Sequence, residues 1–280
     1  MIRLAIPKGY MNKKVIDLFL DCGIVIKENG RSYRPYCSNP EISVKIKKPQ
    51  NIAKLVECGA YDAGITGYDW VVESGADVAE VLDLGFDKVK IVAAVPTGYD
   101  LAGEKRIVVA SEYENISRKF LDEKGFKYSF IRSYGATEAY PPEDADMIVE
   151  NVATGRTLEQ NNLMIVSRIL ESTTRIIANK KSIDDASKRK IIDDLVCVMK
   201  SVLLGRCKVM IEMNVDEKLL PDLIKVIPAM KMPTVAKLYG DCGYAVKACV
   251  DRGIVRELIP ILKTAGATDI VEYDLRKVVR

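Results

Sequence analysis

Asp146-Met147-Ile148-Val149-Glu150-Asn151-Val152-Ala153-Thr154-Gly155-Arg156-Thr157-Leu158 is the stretch from which the rest of the chain is read. An apolar run of strand length ends in an acidic residue, and a short Thr-Gly-Arg-Thr turn leads into a helix start. Small residues at Ala153, Thr154 and Gly155 let the backbone curl so that successive N–H groups converge on an anion, with the Thr154 and Thr157 hydroxyls and the Arg156 charge in support. Glu150, at the end of the strand, is placed to accept hydrogen bonds from a sugar diol. Taken alone, T-G-x-T also fits a plain strand-to-helix turn with a Thr cap.

The surrounding residues make the pattern specific. Glu138, Ala145-Asp146, Ile148-Val149, Glu150 and Thr154-Gly155-Arg156-Thr157-Leu158 follow one another as in the phosphoribosyl-pyrophosphate (PRPP) loop of the ATP phosphoribosyltransferase family, which this segment resembles. Glu150 stands where that family more often has Asp. The resemblance implies PRPP contacts from Glu138, Asp146, Glu150, Ala153, Thr154, Gly155, Arg156, Thr157 and Leu158.

Composition narrows the chemistry independently. Lys+Arg 42 against Asp+Glu 39 leaves a net charge of +3, too balanced to argue for nucleic acid or a membrane surface, so phosphate binding must come from local sites. No apolar run is long enough to span a bilayer and the first strand, Met1–Ile6, lacks the features of an export signal, so the expected location is the cytoplasm. The seven cysteines, Cys22, Cys37, Cys58, Cys197, Cys207, Cys242 and Cys249, show no C-x-x-C pair and read as reduced, mostly buried thiols. Histidine is absent, which removes Ser-His and Cys-His catalysis, H-E-x-x-H metal sites and histidine general bases together. An enzyme with this composition works by positioning and electrostatics.

Two more strand-end loops precede the PRPP-like one. Pro7-Lys8-Gly9-Tyr10 follows the first strand, with Asn12 as a candidate cap for a helix carrying Val15, Leu18 and Phe19. Tyr61-Asp62-Ala63-Gly64-Ile65-Thr66-Gly67-Tyr68-Asp69-Trp70, with Glu73 one turn on, makes a sharp strand-to-helix passage close to a ligand. These are similar to the family's opening Pro-Lys-Gly and its D-x-G-I-T-G-x-D signature; in α/β sheets ligands collect at such carboxyl ends of strands. Lys47-Lys48 before Pro49 reads by itself as a solvated turn, and Tyr113 as a half-buried tyrosine near a helix start. The resemblance implies Lys8 and Lys48 on pyrophosphate, Lys8 and Glu150 as catalytic residues, and Gly9, Gly67, Asp69, Glu73 and Tyr113 on ATP. Tyr10, Lys48 and Asn51 depart from the family pattern.

The expected architecture is α/β: a two-lobed core like the periplasmic binding proteins of type II, crossed twice by the chain, plus a C-terminal ferredoxin-like domain. Lobe I is expected over 1–93 and 175–205, lobe II over 94–174. From Ser182 to Leu203 a helix is expected, with Ser182 as its cap and Gly205 as its stop. Residues 206–280 read as β-α-β-β-α-β, and the resemblance to the family's long form makes them a regulatory domain that binds histidine, with Glu212, Asn214 and Thr234 as candidates. The implied reaction joins ATP to PRPP with release of pyrophosphate, assisted by Mg²⁺ held largely through PRPP, in a dimer or hexamer of like chains. A non-catalytic sensor of nucleotide or histidine, or a solute-binding protein of the same two-lobed fold, are the competing readings.

Overall fold

The computed structural model describes residues 1–28, 30, 32–101 and 105–280 of the chain. It forms two compact units, Met1–Asp17 with Ile24–Asp193 and Leu18–Gly23 with Asp194–Arg280. In chain order come β1 (Ile2–Pro7), α1 (Tyr10–Asp21), the short pair β2 (Ile26–Lys27) and β3 (Tyr36–Cys37), β4 (Ile42–Lys47), α2 (Pro49–Glu57), β5 (Ala63–Gly67), α3 (Tyr68–Ser74) and β6 (Ala79–Asp83). Then follow β7 (Val89–Pro96), β8 (Ile107–Ser111), α4 (Glu114–Glu123), β9 (Tyr128–Arg132), β10 (Met147–Val152), α5 (Arg156–Gln160), β11 (Leu163–Ser172) and β12 (Thr174–Ala178).

These strands build two five-stranded sheets in the first unit, ordered β4-β1-β5-β12-β6 and β11-β7-β10-β8-β9. β1 pairs parallel with both β4 and β5, so its neighbours are reached through helical crossovers, and such strands are covered on both faces. That is why Ile2, Leu4, Ala5 and Ile6 in β1, and all of β5, are buried. In the first lobe Ile52, Ala53 and Val56 of α2 pack with Ala5, Tyr61, Val71 and Ile177. In the second, Ile116, Phe120 and Leu121 of α4 cover Ile91, Val109, Met147 and Val149, while Leu158 of α5 packs on the other side with Ala145, Ile148 and Leu163.

The chain crosses between the sheets twice, as the two-lobed expectation requires. The crossings are tied together: Leu84 N–H donates to the Thr174 carbonyl at 2.9 Å, Thr174 N–H to the Phe86 carbonyl at 3.0 Å, and the Thr174 hydroxyl to Asp87 Oδ2 at 3.1 Å.

Three local expectations change. Asn12 lies inside α1 and its amide donates to the Pro7 carbonyl at 3.0 Å, because Gly9, at φ 86°, turns the chain so tightly that the helix has already begun. The helix expected from Ser182 is two pieces, α6 (Lys180–Asp184) and α7 (Ala186–Cys207), separated by extended Asp185; Asn179 is the cap, accepting from Ser182 N–H at 3.2 Å, and α7 continues through Gly205. All seven cysteines are unpaired thiols, but four are exposed and none is fully buried.

The second unit carries β13 (Lys208–Val215), α8 (Leu220–Val226), β14 (Thr234–Lys237), β15 (Tyr244–Asp251), α9 (Val255–Thr264) and β16 (Thr268–Asp274) in an antiparallel sheet ordered β14-β15-β13-β16. This is the ferredoxin-like arrangement. Val209, Ile211, Met213 and Val215 alternate along β13 and pack with Leu223, Leu258 and Leu262. No helix among the described residues is long and apolar enough to cross a membrane.

Candidate active site

Two cavities meet in the first unit. The first, about 340 Å³, is lined by Glu138, Glu150, Asn151, Val152, Ala153, Thr154, Gly155, Thr157 and Leu158. Gly155, at φ 87°, takes the left-handed conformation that lets β10 turn directly into α5, whose first N–H groups have no partner within the helix. Leu158 is buried and anchors that short helix, while Thr154 and Thr157 stay exposed beside the cavity. Glu150 Oε1 accepts from Asn151 N–H at 2.9 Å and Asn151 Nδ2 at 2.7 Å. Burial pushes the Glu150 carboxyl above its ordinary range; bonds from Thr137 and the Asn151 backbone pull it back, and the charges of Glu112 and Glu138 push it up again.

The second cavity, about 250 Å³, lies between the lobes, with Lys8, Tyr10, Gly67, Asp69, Trp70, Glu112, Tyr113, Asn151 and Ser172 among its lining residues. Tyr113 ends the turn after β8 and is 1% exposed. Its ring stacks on Trp70 with centroids 4.5 Å apart and planes at 22°. A Cβ on Gly67 would stand 2.2 Å from Asp69 Oδ1, so only glycine allows that carboxylate to fold back toward the cleft. Ser172 donates to Asp69 Oδ1 at 2.6 Å and accepts from Asp69 N–H at 2.9 Å. Tyr113 donates to Asp69 Oδ2 at 2.8 Å, and Asn151 Nδ2 donates to the Tyr113 oxygen at 3.2 Å. Burial and the neighbouring Asp69 charge raise the Tyr113 pKa strongly, which keeps its proton on that bond.

An unbroken run of hydrogen bonds, Ser172–Asp69–Tyr113–Asn151–Glu150, therefore links the cleft to the loop cavity. Asn151 lines both.

The sequence-derived candidates fall into two groups. Glu138, Glu150, Ala153, Thr154, Gly155, Thr157 and Leu158 come together at the loop, and Lys8, Gly67, Asp69 and Tyr113 in the cleft. Arg156 opens α5 with its side chain exposed. Gly9 lies with Lys8 and Tyr33 in an adjoining cavity of about 590 Å³, where Lys8 Nζ stands 5.2 Å from the Tyr33 ring. Three candidates are placed elsewhere. Asp146 precedes β10, at the end away from the loop, and its carboxylate accepts from Tyr99 at 2.7 Å and Val108 N–H at 2.8 Å. Lys48 is exposed at the start of α2 and lines neither cavity. Both carboxylate oxygens of Glu73 are taken by the backbone N–H groups of Asn115 and Ile116, each at 3.0 Å.

Trp70, Asn151, Glu112 and Ser172 also line the cleft, although no motif in the sequence assigns them a role. The polar run Glu171–Thr174 between two apolar strands was the available signal for Ser172; none marks Asn151.

In the second unit, Glu212 lies beside Lys247 at 3.2 Å, and Thr234 pairs in register with that same lysine. Asn214 Nδ2 donates to Asp269 at 3.1 Å. Among the described residues no group of three or more carboxylate or cysteine side chains is arranged to hold a metal ion.

Comparison with known proteins bears on this geometry. A family model described as HisG, ATP phosphoribosyltransferase, matches residues 48–201, and one described as HisG, C-terminal domain, matches residues 206–277. The chain is 40% identical to the ATP phosphoribosyltransferase of Chlorobium phaeovibrioides, covering 100% of this chain and 98% of the relative. It is 38% identical to that of Pelotomaculum thermopropionicum, covering 99% of each. Among solved structures, a chain of the ATP phosphoribosyl transferase (HisG:HisZ) complex from Thermotoga maritima superposes with a TM-score of 0.64 at 25% identity, over 71% of this chain and 98% of that one.

Proposed function

This chain belongs to the ATP phosphoribosyltransferase family, in the form with the additional C-terminal domain, and we propose that its two adjoining cavities bring PRPP and ATP together in the first step of histidine biosynthesis. The observation that carries this reading is Asn151, which lines both cavities and links Glu150 to Tyr113.

In the reaction, N1 of adenine forms a bond to the anomeric carbon of PRPP as the bond to pyrophosphate breaks. The transition state has the character of a ribosyl cation, so no protein nucleophile is required and alignment and charge do the work. The Ala153–Leu158 turn holds the 5′-phosphate, with Arg156 adding positive charge. Glu150 accepts from the ribose hydroxyls and places a negative charge beside the developing cation. Adenine lies against Tyr113 and Trp70, an aromatic wall suited to a flat ring. Asp69 offsets the positive charge that adenine gains on N1 attack. Lys8 neutralises pyrophosphate. With no protein carboxylate cluster arranged for it among the described residues, Mg²⁺ would be held largely through the oxygens of PRPP and would supply further neutralisation of the leaving group.

We place the enzyme in the cytosol as an oligomer of like chains. Histidine binds the ferredoxin-like domain beside Glu212, Asn214 and Thr234, where the Glu212 and Asp269 carboxylates, Lys247 and two uncharged polar side chains suit a zwitterion.

The test is a pyrophosphate-release assay with mass analysis of the nucleotide. ATP and PRPP together should give equal amounts of pyrophosphate and phosphoribosyl-ATP, and added histidine should suppress both. Binding of either substrate without release of pyrophosphate would instead identify a non-catalytic sensor.

A further inference from the structure

Asp69 and Glu73 are four residues apart on α3, and so project from one face of that helix toward the other lobe. Asp69 receives the Tyr113 hydroxyl at 2.8 Å. Glu73 receives the N–H groups of Asn115 and Ile116 at 3.0 Å each, and Asn115 Nδ2 returns a bond to the Glu73 carbonyl at 2.8 Å. Tyr113 stands at the N-terminal boundary of α4, with no side-chain cap of its own, and its ring lies on Trp70. The first N–H groups of a helix need acceptors, and the partial positive charge there favours a carboxylate. Glu73 supplies both from the opposite lobe. It is 8% exposed and does not line the cleft, so its carboxylate serves the start of α4 and not a ligand in the cleft.

We infer that Glu73 is a positioning residue: a helix cap delivered across the cleft, which locks the start of α4 and thereby sets Tyr113 against Trp70 as the aromatic wall of the ATP cavity. The inference rests on the reading of that cavity as the ATP site. The α3–α4 clasp is the counterpart of the tied crossings at Leu84–Asp87 and Thr174. One fixes where the lobes join, the other how their facing walls meet.

Trp70 is the one tryptophan of the sequence, so its emission reports the stack directly. In ligand-free Glu73→Ala, acrylamide quenching of Trp70 should rise about twofold, as a side chain freed from its partner becomes accessible. The KM for ATP should rise about tenfold, the cost typical of a lost helix cap, with the KM for PRPP unchanged within about twofold. Glu73→Gln, which keeps one acceptor, should recover part of both effects. Asn115→Ala, which removes only the returning bond, should move them in the same direction by less, and it keeps the test valid if Glu73→Ala fails to fold. Wild-type quenching and wild-type KM for ATP in these variants, or an equal rise in both KM values, would overturn the inference. The quenching is read without ligand, so it judges the clasp even if the wild type were found to transfer nothing.

Discussion

The loop after β10 and the clasp between α3 and α4 hold the two halves of the proposed site by opposite means. The loop is local: a single turn of about six residues, exposed, with its conformation set by Gly155 and its anchor by buried Leu158. The clasp is assembled from distant segments, with buried Asp69 bonded both to Tyr113 and to Ser172, the latter 103 residues away in sequence. A local device can be altered with little effect on its surroundings. A tertiary one shares every bond with a neighbour.

Substitutions in the two regions should therefore separate cleanly. The largest effect is expected at Glu150. On the proposed assignment, replacement by Ala removes two hydrogen bonds from ribose hydroxyls to a charged acceptor, each about 2 kcal/mol, so kcat/KM for PRPP should fall about a thousandfold while the melting temperature stays within a few degrees of wild type. Wild-type kcat/KM in that variant would refute the assignment. Asp69→Asn keeps the shape of the cleft and removes its charge; a loss of about a hundredfold in kcat, with the KM for PRPP unchanged, is expected from steady-state kinetics. Thr157→Ala deletes one neutral donor proposed to meet the phosphate and should cost about tenfold in kcat/KM for PRPP alone. If Thr157→Ala and Asp69→Asn instead changed the same parameter, the division into a sugar side and a base side would fail.

pH sharpens the same contrast. Glu150 is raised by burial, so its carboxylate forms only at a pH above that of an ordinary glutamate, and the acid limb of kcat/KM for PRPP should lie correspondingly high. Glu150→Gln should flatten that limb at a lower plateau. Asp62 provides the opposite case. Burial raises it, but bonds from the Arg3 side chain and backbone, Lys188 and Ser182 outweigh that and hold it well below the usual carboxylate range. A depressed carboxylate stabilises the fold above its unfolded pKa, and that contribution is lost as pH falls through the folded value. Asp62→Ala should cost about 3 kcal/mol of stability, measured by denaturant unfolding, with kcat unchanged while the protein remains folded.

The same contrast explains what could be read from the sequence. The PRPP-like loop was legible because glycine, threonine and a strand-end carboxylate act on their immediate neighbours, and the alternation along β13 was legible because it has a period of two. The cleft was legible only in part. Asp69 and Tyr113 stood in recognisable turns, but their bond, and Asn151 between them and Glu150, depend on where three separate segments end. Glu73 shows the limit: on α3 it looks like a ligand group one turn beyond Asp69, and only the position of α4 reveals that both oxygens are already used. Asp146 is similar, since being next to a strand does not say toward which end its side chain serves. The room that Gly67 leaves for Asp69 Oδ1 likewise emerges only in three dimensions.

A crystal structure with PRPP and an unreactive ATP analogue would examine the joining of the two cavities most directly. The 5′-phosphate should sit within the 153–158 turn, the adenine against Tyr113, and N1 about 3–3.5 Å from the anomeric carbon beside Asn151. A sugar phosphate bound elsewhere with that turn empty, or an adenine on the far side of Tyr113 from Asn151, would contradict it.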